Sequence, residues 1–139
     1  HRDHAAMLVF ATGHLQGEEG ERTVALDWAA LARPHQTVVI YMGVGTLPII
    51  CAQLIAHGLP ASTPAAMIER ATLPGQRSIV GTLQTLPQLS VAYGVNPPAL
   101  VMIGDTVALH ARIGSSAEVL TGFPAVVDAA SPQALACTA

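Results

Sequence analysis

A chain of 139 residues and 14.3 kDa is long enough for one domain with a real core and too short for two large ones. Half of it is apolar (51%) and 11% is charged, so apolar burial can offset the entropy of ordering, which excludes disorder over most of the length. Six cations, all of them Arg, stand against nine acids, and the formal charge of −3 excludes the basic footprint of a nucleic-acid binder.

Taken in chain order, the text opens at His1 with no basic, apolar and small-residue signal pattern, so it reads as a piece of a longer polypeptide. Met7-Leu-Val-Phe-Ala-Thr12 is a short apolar run ending at Gly13, which predicts a strand buried on both faces. Residues 16–22, rich in Gly and Glu, predict a solvated loop. Asp27 is placed to cap a short helix over 28–33, which must stop before Pro34. Thr37-Val-Val-Ile-Tyr41 predicts the clearest strand. Gly43 and Gly45 then turn the chain, and Thr46 is placed to cap a helix over 47–57, with Pro48 tolerated in its first turn. Ile50, Leu54 and Ile55 recur at helical spacing, and Gly58 ends the helix.

Pro64 precedes a buried strand over 65–68, Pro74-Gly75 marks a turn, and 77–83 alternates as the next strand. A short helix over 86–93 closes at Gly94, and Ala99-Leu-Val-Met-Ile103 is a last apolar strand. From Gly114 the text becomes Gly, Ser and Ala with little period, and a loosely ordered tail is expected over 114–139. The sum is an α/β domain over 1–113 with a mixed sheet of about five strands flanked by helices.

No Asp, Glu, Lys or Arg falls between Arg33 and Glu69, which on hydropathy alone resembles a spanning helix. Gly43, Gly45, Pro48, His57, Gly58 and Pro60 interrupt that run, and a buried strand followed by a helix explains it without lipid. Cys51 sits among apolar residues and Cys137 near the end, so no disulfide framework is indicated and a cytoplasmic location is expected.

The chemistry legible from residues alone is limited. Met42-Gly-Val-Gly-Thr46 lies between a strand and a helix, where ligands approach α/β sheets, but Pro48 stands at the third glycine position of a dinucleotide fingerprint. A tight turn and a ligand loop both remain open there. The six His are scattered and no Cys pair has ligand spacing, so no metal is expected; Gly-x-Ser-x-Gly and P-loop patterns are absent. Asp3 and Glu69 each stand beside an Arg (Arg2, Arg70), a pattern of structural ion pairs, although either Arg can also face an acidic substrate.

Several segments in order carry more. They are His1-Arg2-Asp3, Thr12-Gly13-His14-Leu15, Leu26-Asp27-Trp28, Tyr41-Met42-Gly43, Leu54-Ile55-Ala56-His57-Gly58 and Glu69-Arg-Ala-Thr-Leu-Pro-Gly-Gln-Arg77, continued by Gly81-Thr-Leu83 and the stretch from Pro98 to Val107. Together they resemble the C-terminal half of the uroporphyrinogen-III C-methyltransferases, a tetrapyrrole methylase family, over roughly 2–113. The resemblance implies the C-terminal subdomain of a two-domain, class III methyltransferase working as a homodimer, without a metal. S-Adenosyl-L-methionine (SAM) is expected in the cleft between the halves, leaving as S-adenosylhomocysteine (SAH). The implied reaction moves methyl groups to C2 and C7 of uroporphyrinogen III to give precorrin-2, in sirohaem and cobalamin synthesis.

The resemblance also implies site residues. Met42 matches a SAM-contacting position, and Tyr41 and Met42 lie where the tetrapyrrole approaches. Ala71 matches a position that is often Gly and binds the adenosine through its backbone, which Ala can do if its φ is negative. Thr72 and Pro64 flank the same pocket, Pro64 with a possible second role in shaping the start of its strand. Arg2 either takes a substrate carboxylate or pairs with Asp3 or a neighbouring subunit. Glu69 and Arg77 read as structural. No catalytic residue is expected in this chain, because the family's proposed base and Gly-rich loop belong to its N-terminal half, whose sequence is not found here. Alternatives are a sister methylase acting on a later precorrin, diphthine or ribosomal RNA, and a non-catalytic dimerisation or ligand-binding fragment.

Overall fold

A computed structural model describes residues 3–16, 23–113 and 118–122. Arg2, residues 17–22 of the expected loop and most of the span after 113 lie outside the described residues. Among the described residues, six strands form one sheet: β1 (Met7–Thr12), β2 (Gln36–Tyr41), β3 (Pro64–Glu69), β4 (Arg77–Thr82), β5 (Ala99–Ile103) and β6 (Glu118–Thr121). Their order is β1-β2-β5-β3-β4-β6. β1 runs parallel to β2 and β4 parallel to β6, while β5 is antiparallel to both β2 and β3.

This order places the site. With β5 antiparallel between them, β2 and β3 point the same way, so their carboxyl ends emerge at one edge of the sheet on either side of the start of β5. Two interstrand steps separate them, about 10 Å.

The helices are α1 (Trp28–Leu31), α2 (Leu47–Ala56), α3 (Leu86–Ala92) and α4 (His110–Ile113), the last preceded by a 3₁₀ segment, Asp105–Leu109. Alternation along the strands turns Val38, Ile40, Ala65, Met67, Ile79, Val101 and Ile103 to one face, where they form a core with Leu31, Leu47, Ile50, Leu54, Leu86 and Leu89 of α1, α2 and α3. The opposite face carries the 3₁₀ segment and α4. Thr37 Oγ1 lies 2.8 Å from Thr106 Oγ1 across it, and Val107 is buried there.

Asp27 caps α1 as its sequence predicts, accepting the Ala30 N–H at 3.0 Å. The helix is shorter than expected, because its Ala32 cap already leaves helical geometry ahead of Pro34. Thr46 does stand at the start of α2, but its hydroxyl donates to Gly13 O at 2.7 Å instead of capping the helix. That bond ties the loop after β2 to the end of β1. Gly58, at φ 113°, stops α2 where expected.

Two expectations need correction. β1 is an edge strand, so it is not buried on both faces; Met7, Leu8 and Phe10 are more than half exposed. Helices flank the sheet as expected, α1, α2 and α3 on the core face, where Val9 and Ala11 of β1 pack, and the 3₁₀ segment with α4 on the other, where Leu8 and Phe10 of β1 stay open. The span expected as a loosely ordered tail contributes β6, whose four residues add to β4 in parallel register.

Cys51 is buried in the α2 core, 2% exposed, and burial pushes its thiol up to about 12. A neutral buried thiol is inert, because the thiolate is the reactive species. In a Cys137→Ser variant, Cys51 is expected to resist alkylation by a maleimide in native buffer and to react fully in denaturant. Stoichiometric native labelling would show that the α2 core opens locally. No helix among the described residues is long and apolar enough to cross a membrane.

Candidate functional site

At the edge where β2 and β3 end, a cleft of about 240 Å³ opens on the face that the core helices do not cover. Tyr41, Ile68, Arg70, Ala71, Leu73, Pro98, Ala99 and Leu100 line it. Tyr41 ends β2, half exposed, its ring stacked on Phe10 with centroids 6.3 Å apart. Met42 follows at 61% exposure and φ 54°. Across the start of β5, β3 runs out into Arg70, Ala71 and Thr72.

Residues 70–76 make two successive tight turns. Arg70 N donates to Pro98 O at 2.9 Å, continuing the ladder one step past β3. Leu73 N then donates to Arg70 O at 3.0 Å and Gln76 N to Leu73 O at 3.1 Å. The third residue of each turn has positive φ: Thr72 at 67° and Gly75 at 78°. Pro74 before Gly75 suits a type II turn, whereas Thr72 is β-branched and disfavoured there. Its amide donates to Gln76 Oε1 at 2.6 Å, which fixes the first turn from the second.

Four described residues other than Gly have positive φ, and three of them (Met42, Arg70 and Thr72) stand at this edge. Backbone held in such regions costs about 1–3 kcal/mol per residue and gathers at ligand sites. Ala71 is not among them, so the condition for Ala to replace Gly there is met.

An ion pair underlies the loop. Glu69, 6% exposed, accepts from Arg77 Nε at 2.7 Å and from Arg77 Nη2, and its other oxygen takes the Asn96 amide at 3.3 Å. Arg77 also donates to Tyr93 O at 3.2 Å. Burial pushes the Glu69 carboxyl up, but the hydrogen bonds from Arg77 and Asn96, with the Arg77 and Arg70 charges, outweigh it and hold the group below the usual carboxylate range. The partner is Arg77 on the neighbouring strand, not the adjacent Arg70. Consecutive strand residues face opposite sides, so Arg70 is turned to the cleft side while Glu69 is turned to the core.

Of the residues expected at the site, Tyr41 and Ala71 line this cleft, and Met42 and Thr72 follow them in the chain without being among its lining residues. Pro64 does not join them; it opens β3 and lies at the opposite edge, about 16 Å away along the strand. There Pro64 O accepts Gly104 N–H at 2.9 Å, so it shapes the strand start and does not flank the cleft. Arg2 lies outside the described residues, and Arg70 is the cation that lines the cleft. Its signal was the Arg beside Glu69. A Cβ at Gly43 would meet Ile50 Cδ1 at 3.1 Å, so this glycine permits close packing against α2.

The cleft suits the adenosine of a SAM-type cofactor. Tyr41, Ile68, Leu73 and Leu100 offer apolar walls to a flat ring, and small Ala71 lets backbone approach its polar edge. Among the described residues, no group of three or more His, Cys, Asp or Glu is placed to hold a metal ion.

Fold and cleft together give an α/β module with a candidate small-molecule site at the carboxyl ends of two like-directed strands. The profile of the family described as Tetrapyrrole (Corrin/Porphyrin) Methylases matches residues 2–87, and the chain belongs to that family. It is 50% identical over 113 residues to a protein named siroheme synthase from Nitrosomonas europaea, covering 81% of this chain and 23% of that protein. A siroheme synthase of Nitrosospira multiformis is 49% identical with the same coverage. The chain thus spans about a quarter of the length of these relatives.

Among solved structures, the native uroporphyrin III C-methyltransferase of Thermus thermophilus aligns with TM-score 0.64 and 31% identity, over 78% of this chain and 44% of that one. The same enzyme complexed with S-adenyl homocysteine aligns with TM-score 0.64 and 30% identity, at the same coverage. A cobalt precorrin-4 methyltransferase at 18% identity and TM-score 0.61 shares the fold.

Proposed function

We propose that this chain forms one wall of a SAM-dependent methyl-transfer site acting on a tetrapyrrole, with uroporphyrinogen III as acceptor and precorrin-2 as product. The observation that carries this reading is the β2-β5-β3 pairing, which sets Tyr41 opposite Ala71 across one cleft, with Met42 and Thr72 next to them in the chain. Support comes from family membership and from the likeness to a uroporphyrin III C-methyltransferase complexed with S-adenyl homocysteine.

In this reading Met42, Ala71 and Thr72 hold the cofactor, Ala71 through its backbone, while Tyr41 and Met42 also meet the tetrapyrrole. Arg70 answers a substrate carboxylate, a role for which a guanidinium is suited by its paired donors. The apolar walls keep water from the reacting centre, and the two strand ends hold donor and acceptor in register. When bound, SAM supplies an electrophilic methyl group on a sulfonium. No acid lines the cleft among the described residues, so this chain binds and orients, and the group that removes the ring proton comes from elsewhere in the enzyme. The open apolar side of β1 is consistent with cover from such a portion, in a homodimeric enzyme.

The test joins this chain to the remainder of a siroheme-synthase-length sequence and incubates it anaerobically with methyl-labelled SAM and uroporphyrinogen III. Two labels per ring with the spectrum of precorrin-2 are expected. SAM binding with no label in this ring would move the reading to a sister methylase with another acceptor.

A further inference from the structure

We propose that Gln76 is a positioning residue for the adenosyl side of the cleft, acting through the amide of Thr72; this rests on the SAM-site reading above. Three observations converge on it. Thr72 is a β-branched residue at φ 67°, a conformation it does not hold by its own preference. The contact that pins it is Thr72 N–H to Gln76 Oε1 at 2.6 Å. Between the two positive-φ residues Arg70 and Thr72 stands Ala71, the small residue on the cleft wall.

The geometry makes the side chain of Gln76 part of the turn. Its backbone is fixed by its own amide bond to Leu73 O and by the start of β4 next to it. From that anchored position it reaches back four residues and closes a ring over the apex of the loop. Without an acceptor at that point, the Thr72 amide loses its partner, Thr72 is free to return to negative φ, and the peptide planes on both sides of Ala71 rotate. The apolar walls would remain, but the backbone edge presented to the cofactor would not. Sequence position hides this, because a Gln four residues along the chain looks like any side chain turned to water.

The requirement is for an acceptor, not for an amide, and this gives the test its contrast. Gln76→Glu keeps a side-chain oxygen of the same reach; Gln76→Leu keeps bulk and removes the acceptor. In the chain itself, amide hydrogen exchange by NMR is expected to show Thr72 protected in the unsubstituted protein and in Gln76→Glu. In Gln76→Leu its exchange is expected to rise about tenfold while core amides such as those of Val38 and Ile40 stay unchanged. In the chain joined to the remaining methylase portion, calorimetric titration with SAH is expected to show affinity weakened about three- to tenfold by Gln76→Leu and largely restored in Gln76→Glu, the span that one hydrogen bond supports. Equal Thr72 protection in both variants overturns the proposal on the chain alone. Loss of protection with unchanged SAH affinity overturns the positioning role. If the unsubstituted joined protein binds no SAH, the SAM-site reading fails, and the exchange result still decides whether Gln76 holds the turn.

Discussion

Arg77→Met is expected to lower the stability of the folded chain by about 2 kcal/mol at pH 7, below the ~3–5 kcal/mol seen when one partner of a fully buried ion pair is removed. The discount reflects Arg77, whose side chain is a quarter exposed, whereas that of Glu69 is 7% exposed. The variant leaves the Glu69 carboxylate in the core with the Asn96 amide as its remaining hydrogen-bond donor. The pH dependence carries the sign. In the parent chain the Glu69 carboxyl is held below its ordinary value, so its contribution is fully present above about pH 4.5 and is lost as pH falls through the folded value. In Arg77→Met the unpaired buried carboxyl is raised, so protonation on acidification relieves it. Urea unfolding across pH 7 to pH 3 should therefore show the gap between parent and variant closing toward acid. A gap that is constant with pH would mean that Arg77 stabilises by packing and not by charge.

The second large effect is at Gly104, which links β5 to the 3₁₀ segment with φ 126° and ψ 174°. Only glycine adopts this region readily, and a Cβ there would stand 2.6 Å from Gln36 O. The clash is with backbone, inside the β2-β5 seam that aligns the two sides of the cleft. Gly104→Ala is expected to cost 3 kcal/mol or more, about 1–3 from the conformation and the rest from the clash. Gly58→Ala separates the two causes, since Gly58 has φ 113° and nothing within 4 Å of a Cβ. It should cost only the conformational part. Equal losses at both positions in thermal unfolding would show that the Gln36 contact is relieved by a small shift of β2.

Most of the fold is legible in the sequence because its elements are short and sharply punctuated. β1 and β5 fall on the expected residues, and α2 ends where Gly58 says it should. Local periodicity carries no information about partners, however, and that is where the reading fell short. Nothing in Met7-Leu-Val-Phe-Ala-Thr12 shows that it occupies a sheet edge, because a buried and an uncovered apolar strand look alike in one chain. β6 is four residues long in a Gly- and Ser-rich context, so it has too few positions to display a period.

The site divides in the same way. Tyr41, Met42, Ala71 and Thr72 were expected through a resemblance of ordered motifs, and strand pairing brings the segments that hold them to one edge. Pro64 was misplaced because five residues separate it from Glu69 in sequence, a short interval in a loop but the full length of an extended strand. Arg70 and Gln76 owe their places to turn geometry, namely the positive φ of Arg70 and Thr72, which no composition rule anticipates at non-glycine residues. Glu69 and Arg77 read correctly as structural, since a carboxylate within an apolar strand requires a partner, and a cation opposite in an antiparallel hairpin supplies it.

The most direct test of the central claim, that the edge shared by β2 and β3 is the adenosyl-binding face, is amide chemical-shift mapping with SAH. Isotopically labelled chain, joined to the remaining methylase portion, would be titrated and its amide shifts followed. The account predicts the largest perturbations at residues 41–43 and 70–73, with little change around Pro64 and Gly104 at the opposite edge. Perturbations centred on that opposite edge, or SAH binding that leaves both the 41–43 and 70–73 segments unmoved, would contradict it.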